Sequence, residues 1–450
     1  MNITRENTGD LKAVLKVQVD KSDFQDKAEK VLRDYRKKAA IKGFRPGMVP
    51  IEIIRKMYGK AVQADELNKL LTESIQKYLT DEKIEILGDP LPETDDEQHI
   101  DFDTQDSFTF SFELGLSPSF DVTLSKKNKV KYYEIEVDDK MKDDYLQNYR
   151  RRYGKFNKVS ISEEKDMMRG RIEALADDNN PVPDGVFADD TTLSIDVIKD
   201  EEIKKAFIGK SEGDTIDFDL RKAFPNDYEI SALLKKRQRE EVGGINGNFR
   251  FTVNEISRFS EAEINTELFD KIYGEGIITT ESEFLKKIED EIADNLKKES
   301  EYKLSLDLKE LAIEKTEFSL PEDFLKKWLL KVNENTTVEQ IEKEFESFKH
   351  DLKWELIRNR IARQNDMKIS EEELLKEAEN ITRYQFRQYG LFYAEDEQIT
   401  NYAKETLRRK EDAKRIAEKI LEDKVISFIK ELVKIENKTV TIDGFNKLFE

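Results

Sequence analysis

Apolar and polar positions alternate with a period of two from Leu11 to Val19, where Leu11, Ala13, Leu15, Val17 and Val19 share one side. That is the pattern of a strand with one buried face. The period then changes. Phe24, Ala28, Val31, Leu32, Tyr35 and Ala39 recur at helical spacing, which predicts a helix with a buried stripe. Pro50 opens a second helix, Ile51 to Tyr58, and after Gly59 the stripe Leu67, Leu70, Leu71, Ile75, Tyr78 and Leu79 marks a longer one. Ile84 and Ile86, then Phe108, Phe110, Phe112 and Leu114 in alternation, return the chain to strands. These elements predict a small α+β domain over residues 1–118, its antiparallel sheet covered on one face by the helices.

From Phe120 to Val137 the chain reads as extended, and Asp138 is placed to cap a helix that carries Met141, Tyr145 and Tyr149 and runs to Tyr153. Residues 119–159 thus form a connector. Over 160–259 the pattern is one of short strands: Thr192 to Ile198, then Ile216, Phe218 and Leu220, then Phe249, Phe251 and Val253. From 260 to 450 long amphipathic helices take over, first Ile264 to Tyr273, then a stripe from Phe284 through Leu285, Ile288 and Ile292 to Leu311. Pro321 starts another helix, Ser370-Glu371-Glu372-Glu373 is a capping box, and the longest stripe runs from Ala413 to Leu432 before a β-like tail at Val440 to Ile442. Periodicity without sustained heptads predicts packed antiparallel arms over one continuous coiled coil.

Composition narrows the chemistry. A chain of 450 residues, 39% of them charged, is too long for one core and too polar for a membrane protein, so about three domains are expected. The polar stretch Met1 to Asp10 has no secretory apolar core, which places the chain in the cytoplasm, and no membrane partner is expected. There is no cysteine, and the two histidines, His99 and His350, lie far apart, so no thiol chemistry, metal site or catalytic triad is expected. No Gly-x-x-x-x-Gly-Lys-Ser/Thr run occurs, and no cofactor is expected.

The stretch Lys42-Gly43-Phe44-Arg45-Pro46-Gly47-Met48-Val49-Pro50 holds two glycines and two prolines between two helical segments, so it reads as the exposed tip of a helical hairpin presenting Phe44 and Arg45. Between Lys21 and Lys60 there are 12 Lys/Arg against 5 Asp/Glu, in a chain of net charge −20. A basic tip on an acidic chain favours a polyanionic partner such as a nucleic-acid-rich particle, against the plainer reading of a solvated lysine-rich face.

Gly43-Phe44-Arg45-x-Gly47-x-x-Pro50 resembles the ribosome-docking loop of the trigger factor family, bacterial chaperones that meet nascent chains, and the likeness extends along the whole chain in segment order. It implies a multidomain α+β architecture: an N-terminal α+β ribosome-docking domain, an FKBP-like antiparallel β middle domain, and an all-α C-terminal domain with helical arms. It implies that Gly43, Phe44, Arg45, Pro46, Gly47 and Pro50 bind the ribosome large subunit at the tunnel exit. The partners implied are nascent and unfolded polypeptides, with a homodimer off the ribosome, and the action is ATP-independent.

An FKBP-type isomerase holds a twisted X-Pro amide in a dry aromatic pocket and needs no nucleophile. Where that family has Ile-Pro-Gly-aromatic at the start of a short helix, this chain has Glu201-Glu202-Ile203-Lys204-Lys205-Ala206-Phe207. Phe218, Phe224 and Tyr228 are the candidate pocket, Phe224-Pro225-x-x-Tyr228 resembling the family's turn, and the same aromatics equally fit a domain core. In the helical part, Phe386, Tyr389, Leu391, Phe392 and Tyr393 form a Gly-interrupted cluster that is a candidate for contacting unfolded chains, or for packing between helices. The alternative function is an FKBP-type prolyl isomerase acting mainly as an enzyme.

Overall fold

The computed structural model describes every residue except 43, 46, 47, 94–100, 237–241, 334, 390, 392, 393 and 450. His99, which the sequence set aside as a metal ligand, lies outside the described residues.

The N-terminal part opens with strands β1 (Asn2–Gly9) and β2 (Lys12–Asp20), helices α1 (Lys21–Lys38) and α2 (Ile51–Asp81), and strands β3 (Leu91–Pro92) and β4 (Ser107–Gly115). The four strands form one antiparallel sheet in the order β1-β2-β4-β3. The alternation along β2 is the cause of its placement: Ala13, Leu15, Val17 and Val19 are fully buried and meet Phe24, Leu67 and Leu71 from the helices. β1 escapes sequence reading because seven of its eight residues are exposed. It is held by the main-chain ladder from Asn2↔Gln18 to Gly9↔Lys12, with no buried face of its own. Gly59 does not divide the second helix. It sits buried within a continuous α2 of 31 residues, a helical glycine costing about 1 kcal/mol that the flanking packing offsets.

The connector supplies β5 (Lys129–Ile135) and α3 (Asp139–Arg152), the latter capped as its sequence predicts, Met141 N donating to Asp138 Oδ1 at 2.8 Å. The middle part follows as β6 (Lys155–Lys158), β7 (Met167–Ala174), β8 (Phe187–Ser194), α4 (Glu201–Phe207), β9 (Thr215–Asp219), α5 (Leu220–Ala223), α6 (Asp227–Leu233) and the long β10 (Asn248–Ser260). Its antiparallel sheet has the order β6-β10-β7-β8, with β9 also on β10. The strand expected from Thr192 to Ile198 stops at Ser194, and Ile195–Val197 make a 3₁₀ turn. Leu193, Ile195 and Ile198 are all buried while Val197 is exposed, a spacing of two and then three that a strand cannot satisfy.

The remaining helices are α7 (Thr266–Tyr273), α8 (Glu281–Lys315), α9 (Glu322–Val332), α10 (Val338–Gln364), α11 (Glu371–Gln388), α12 (Asp396–Arg408) and α13 (Lys410–Leu432). Strand β11 (Lys434–Val440) pairs with β5, and α14 (Ile442–Asn446) closes the series. The tail strand therefore begins earlier than Val440, because its partner lies some 300 positions away and leaves no local mark. Two compact units result, Met1–Tyr132 with Tyr302–Asn437, and Tyr133–Glu301 with Lys438–Glu450. Within the first, α9 packs on the N-terminal sheet. Phe324 and Trp328 lie over Gly115 and Gly88, where a Cβ would come to 2.3 Å and 2.8 Å of the rings. Lys12 and Lys327 pair with Asp323 and Glu113, at 2.7 and 2.8 Å, across the same contact. No helix among the described residues is long and apolar enough to cross a membrane.

Candidate functional surfaces

The hairpin tip is built by two helix ends that cannot continue. α1 is started by a reciprocal cap between Asp20 and Asp23 and finishes with Arg36, Lys37 and Lys38 in its last turn, cations where the helix dipole is negative. Ala39 is already extended, and α2 begins only after Pro50. Between them the returning chain is clamped by Arg36, whose Nε donates to the Val49 carbonyl at 2.8 Å. A small separate core of Ala28, Leu32, Val49, Ile54 and Val62 holds the two helices together beneath the loop. Phe44 is 40% exposed, Arg45 and Pro50 are exposed, and Met48 beside them is 67% exposed. Gly43, Pro46 and Gly47, expected in the same docking loop, lie outside the described residues.

One expected core residue of α1 is displaced. Tyr35, on the stripe predicted to be buried, is 49% exposed and lies nearly parallel to Tyr58 of α2, ring centroids 5.7 Å apart at 11°. A two-helix hairpin narrows to nothing behind it at its tip, so the last turn has no third surface to bury against. Met57 is exposed next to the pair.

The three candidate pocket aromatics of the middle part do not come together as walls of a cleft. Phe218 and Phe224 are 4% and 3% exposed, in edge-on contact at 6.4 Å, and Phe218 also meets Phe207 at 5.3 Å. Ile230, Leu233 and Val242 share that core with them. Tyr228 is 64% exposed on α6. The other end of this sheet is fixed by Asp166, 1% exposed, which takes two bonds from Arg258, 2.8 Å from Nε and 2.9 Å from Nη2. Burial pushes the Asp166 carboxyl up, but Arg258 and the Glu163 amide outweigh it and hold it below the usual carboxylate range. A polar recess of about 320 Å³ lies between β6 and α7. Its Glu267 is held by Lys155 at 2.5 Å and Lys271 at 2.9 Å, which bring its pKa down to about 2, so this carboxyl stays ionised near neutrality.

At the arm tip Phe386 is half-buried and packs edge-on against Tyr402 at 5.5 Å, whereas Tyr389 and Leu391 are 82% and 55% exposed. Phe392 and Tyr393 lie outside the described residues. Tyr384, which the sequence did not single out, is exposed beside them, its hydroxyl accepting from Gln388 Nε2 at 2.9 Å. Its spacing from Gln388, one helical turn, was the available signal. Farther along the arms, Met367, Ile420 and Phe428 floor an open groove of about 560 Å³ whose rim is charged by Lys376, Glu377 and Lys424. Ile420 and Phe428 belong to the stripe along α13, whose exposed edge the periodicity alone does not mark. No group of residues suited to hold a metal ion occurs among those described.

A basic-tipped hairpin on an α+β domain, an FKBP-like sheet domain and long helical arms together define a multidomain chaperone-type architecture. Three family models match: "Bacterial trigger factor protein (TF)" over residues 1–149, "Probable trigger factor, FKBP-like domain" over 157–261, and "Probable trigger factor, C-terminal domain" over 300–449. The chain belongs to the trigger factor family. The trigger factor of Bartonella bacilliformis is 25% identical over 100% of this chain and 93% of its own length, and that of Parvibaculum lavamentivorans 23% identical over 98% and 86%. A solved structure described as "Promiscuous Substrate Recognition in Folding and Assembly Activities of the Trigger Factor Chaperone" has the same fold, with TM-score 0.50 and 18% identity over 96% of this chain and 99% of that one.

Proposed function

We infer that the chain is a ribosome-associated chaperone that needs no nucleotide, acts in the cytoplasm, and docks through its hairpin tip on the large subunit beside the tunnel exit. The observation that carries this is Phe44 and Arg45 standing in solvent on a clamped loop, on a strongly basic hairpin of a chain of net charge −20. Gly43, Pro46, Gly47 and Pro50 shape that loop. The clients are nascent and unfolded polypeptides, touched by Tyr389, Leu391 and neighbouring residues at the arm tip and by the groove floored by Ile420 and Phe428. Such surfaces bind apolar segments by area without tight, specific contacts, and a client leaves as it buries its own apolar surface. Residues 1–118, 119–159, 160–259 and 260–450 serve as docking domain, connector, FKBP-like module and client-binding domain. The burial of Phe218 and Phe224 in the module's own core favours binding over prolyl isomerisation, since a filled pocket leaves no preorganised walls for the twisted amide. Off the ribosome the chain forms a homodimer, which light scattering across concentration checks.

The test is co-sedimentation with salt-washed bacterial ribosomes. The intact chain pellets, and Phe44→Ala/Arg45→Ala loses at least about thirtyfold in affinity, as expected for two central anchors of an interface. Equal pelleting of both would remove the loop from the docking site.

A further inference from the structure

The flank of the docking hairpin, as distinct from its loop, carries an arrangement that the docking reading leaves unused. Tyr35 and Tyr58 come from different helices, are 49% and 38% exposed, and lie 11° from parallel. Near-parallel phenol rings that keep this much surface in water leave π-faces open to a third ring. Cations stand in the same helix turns: Lys38 one helical turn on from Tyr35, Arg36 beside it, and the exposed Lys56 on α2. Two of the acids near them in sequence are engaged, Asp34 by Lys37 at 2.8 Å and Glu29 by Arg55 at 2.9 Å, and Glu52 stands exposed six residues before Tyr58. Aromatic faces set near cations are what binds an unpaired nucleotide, the base stacking and the phosphate held by charge.

We propose that Tyr35 and Tyr58 form a base-stacking platform for an unpaired RNA nucleotide on the ribosome surface, a second contact beside the loop. The excess of seven positive charges between Lys21 and Lys60 selects RNA over a protein partner. The proposal rests on the docking reading above, and its test separates the two. Fluorescence anisotropy of the full chain with a short labelled single-stranded RNA, and with the same RNA annealed to its complement, is measured across salt concentration.

The intact chain binds the single strand more tightly than the duplex. Tyr35→Leu/Tyr58→Leu keeps the apolar contact between the helices and removes the π-faces; it loses about tenfold in single-strand affinity with the salt slope unchanged, because no phosphate contact is lost. Tyr35→Phe/Tyr58→Phe stays within about twofold, since a phenyl face stacks as well. Leucine binding as well as phenylalanine, or a preference for duplex, overturns the platform. So does a leucine variant that loses ribosome binding but keeps RNA binding, which assigns the face to a ribosomal protein. The loop variant Phe44→Ala/Arg45→Ala reads the docking claim separately: if it pellets normally while the RNA results hold, docking through the loop fails and the platform stands.

Discussion

At the scale of single residues, the most consequential group outside the candidate surfaces is Asp166. It is a carboxylate with 1% of its surface in water, held by both nitrogens of one guanidinium edge. Removing Asp166 leaves Arg258 with Glu163 and water but takes the acceptor from the Glu163 amide, so Asp166→Ala should destabilise the second unit by about 1–2 kcal/mol, read as a shift of its transition in urea. The sign with pH follows from the lowered pKa. The contribution is present above the unfolded value of 3.8 and is lost as pH falls through the lower folded value, so acid unfolding of the wild type should steepen below 3.8 and that of Asp166→Ala should not. Gly115 makes a different argument. A Cβ there meets the Phe324 ring at 2.3 Å, and Phe324 is itself buried, so Gly115→Ala should cost about 1–3 kcal/mol by overpacking, with faster hydrogen exchange in α9 as the sign that this helix has been pushed from the sheet.

At the scale of elements, local chemistry was legible wherever an element satisfies itself. Ser370 and Glu373 cap α11 reciprocally, at 3.2 and 2.9 Å, as the tetrapeptide spelled out. Ser370→Ala should speed hydrogen exchange in the first turn of α11 about fivefold, the effect of losing about 1 kcal/mol of cap, and leave α13 unchanged. Elements held by something distant were not legible. β11 depends on β5 far earlier in the chain, and β1, though its partner β2 is adjacent, shows no apolar alternation because seven of its eight residues are exposed. The same division runs through the candidate surfaces. The loop declared itself because glycine and proline fix backbone shape in sequence. Tyr35 sat on a correct helical stripe whose burial ends before its last turn, and Phe218 and Phe224 had the right residue types for a pocket and the packing of a core. Periodicity gives the direction a side chain faces along its own element and carries no information on whether another element is there to meet it.

At the scale of the whole molecule, the order along the chain and the grouping in space differ. The N-terminal sheet joins the helices after Tyr302 in one unit, while the FKBP-like sheet joins α7 and the first part of α8 in the other. The α1–α2 hairpin and the arm groove thus belong to one unit, in which Phe324 and Trp328 of α9 lie against the N-terminal sheet at Gly115 and Gly88. On the function proposed above, both ends act at once: the tip brings the chain to the ribosome and apolar residues on the arms meet what emerges. The middle sheet, with Phe218 and Phe224 turned inward, should add little catalysis, and the full chain should isomerise a proline-containing peptide no faster with Tyr228 than with Tyr228→Ala.

The most direct measurement places a photo-crosslinking amino acid at Tyr389 in the full chain and exposes it to ribosomes stalled with a nascent chain. Crosslinks to the nascent chain are expected, falling to background when Phe44 and Arg45 are both alanine. Crosslinks that persist at full strength in the loop variant would contradict the proposed function, because the arms would then be reaching clients without the hairpin having docked.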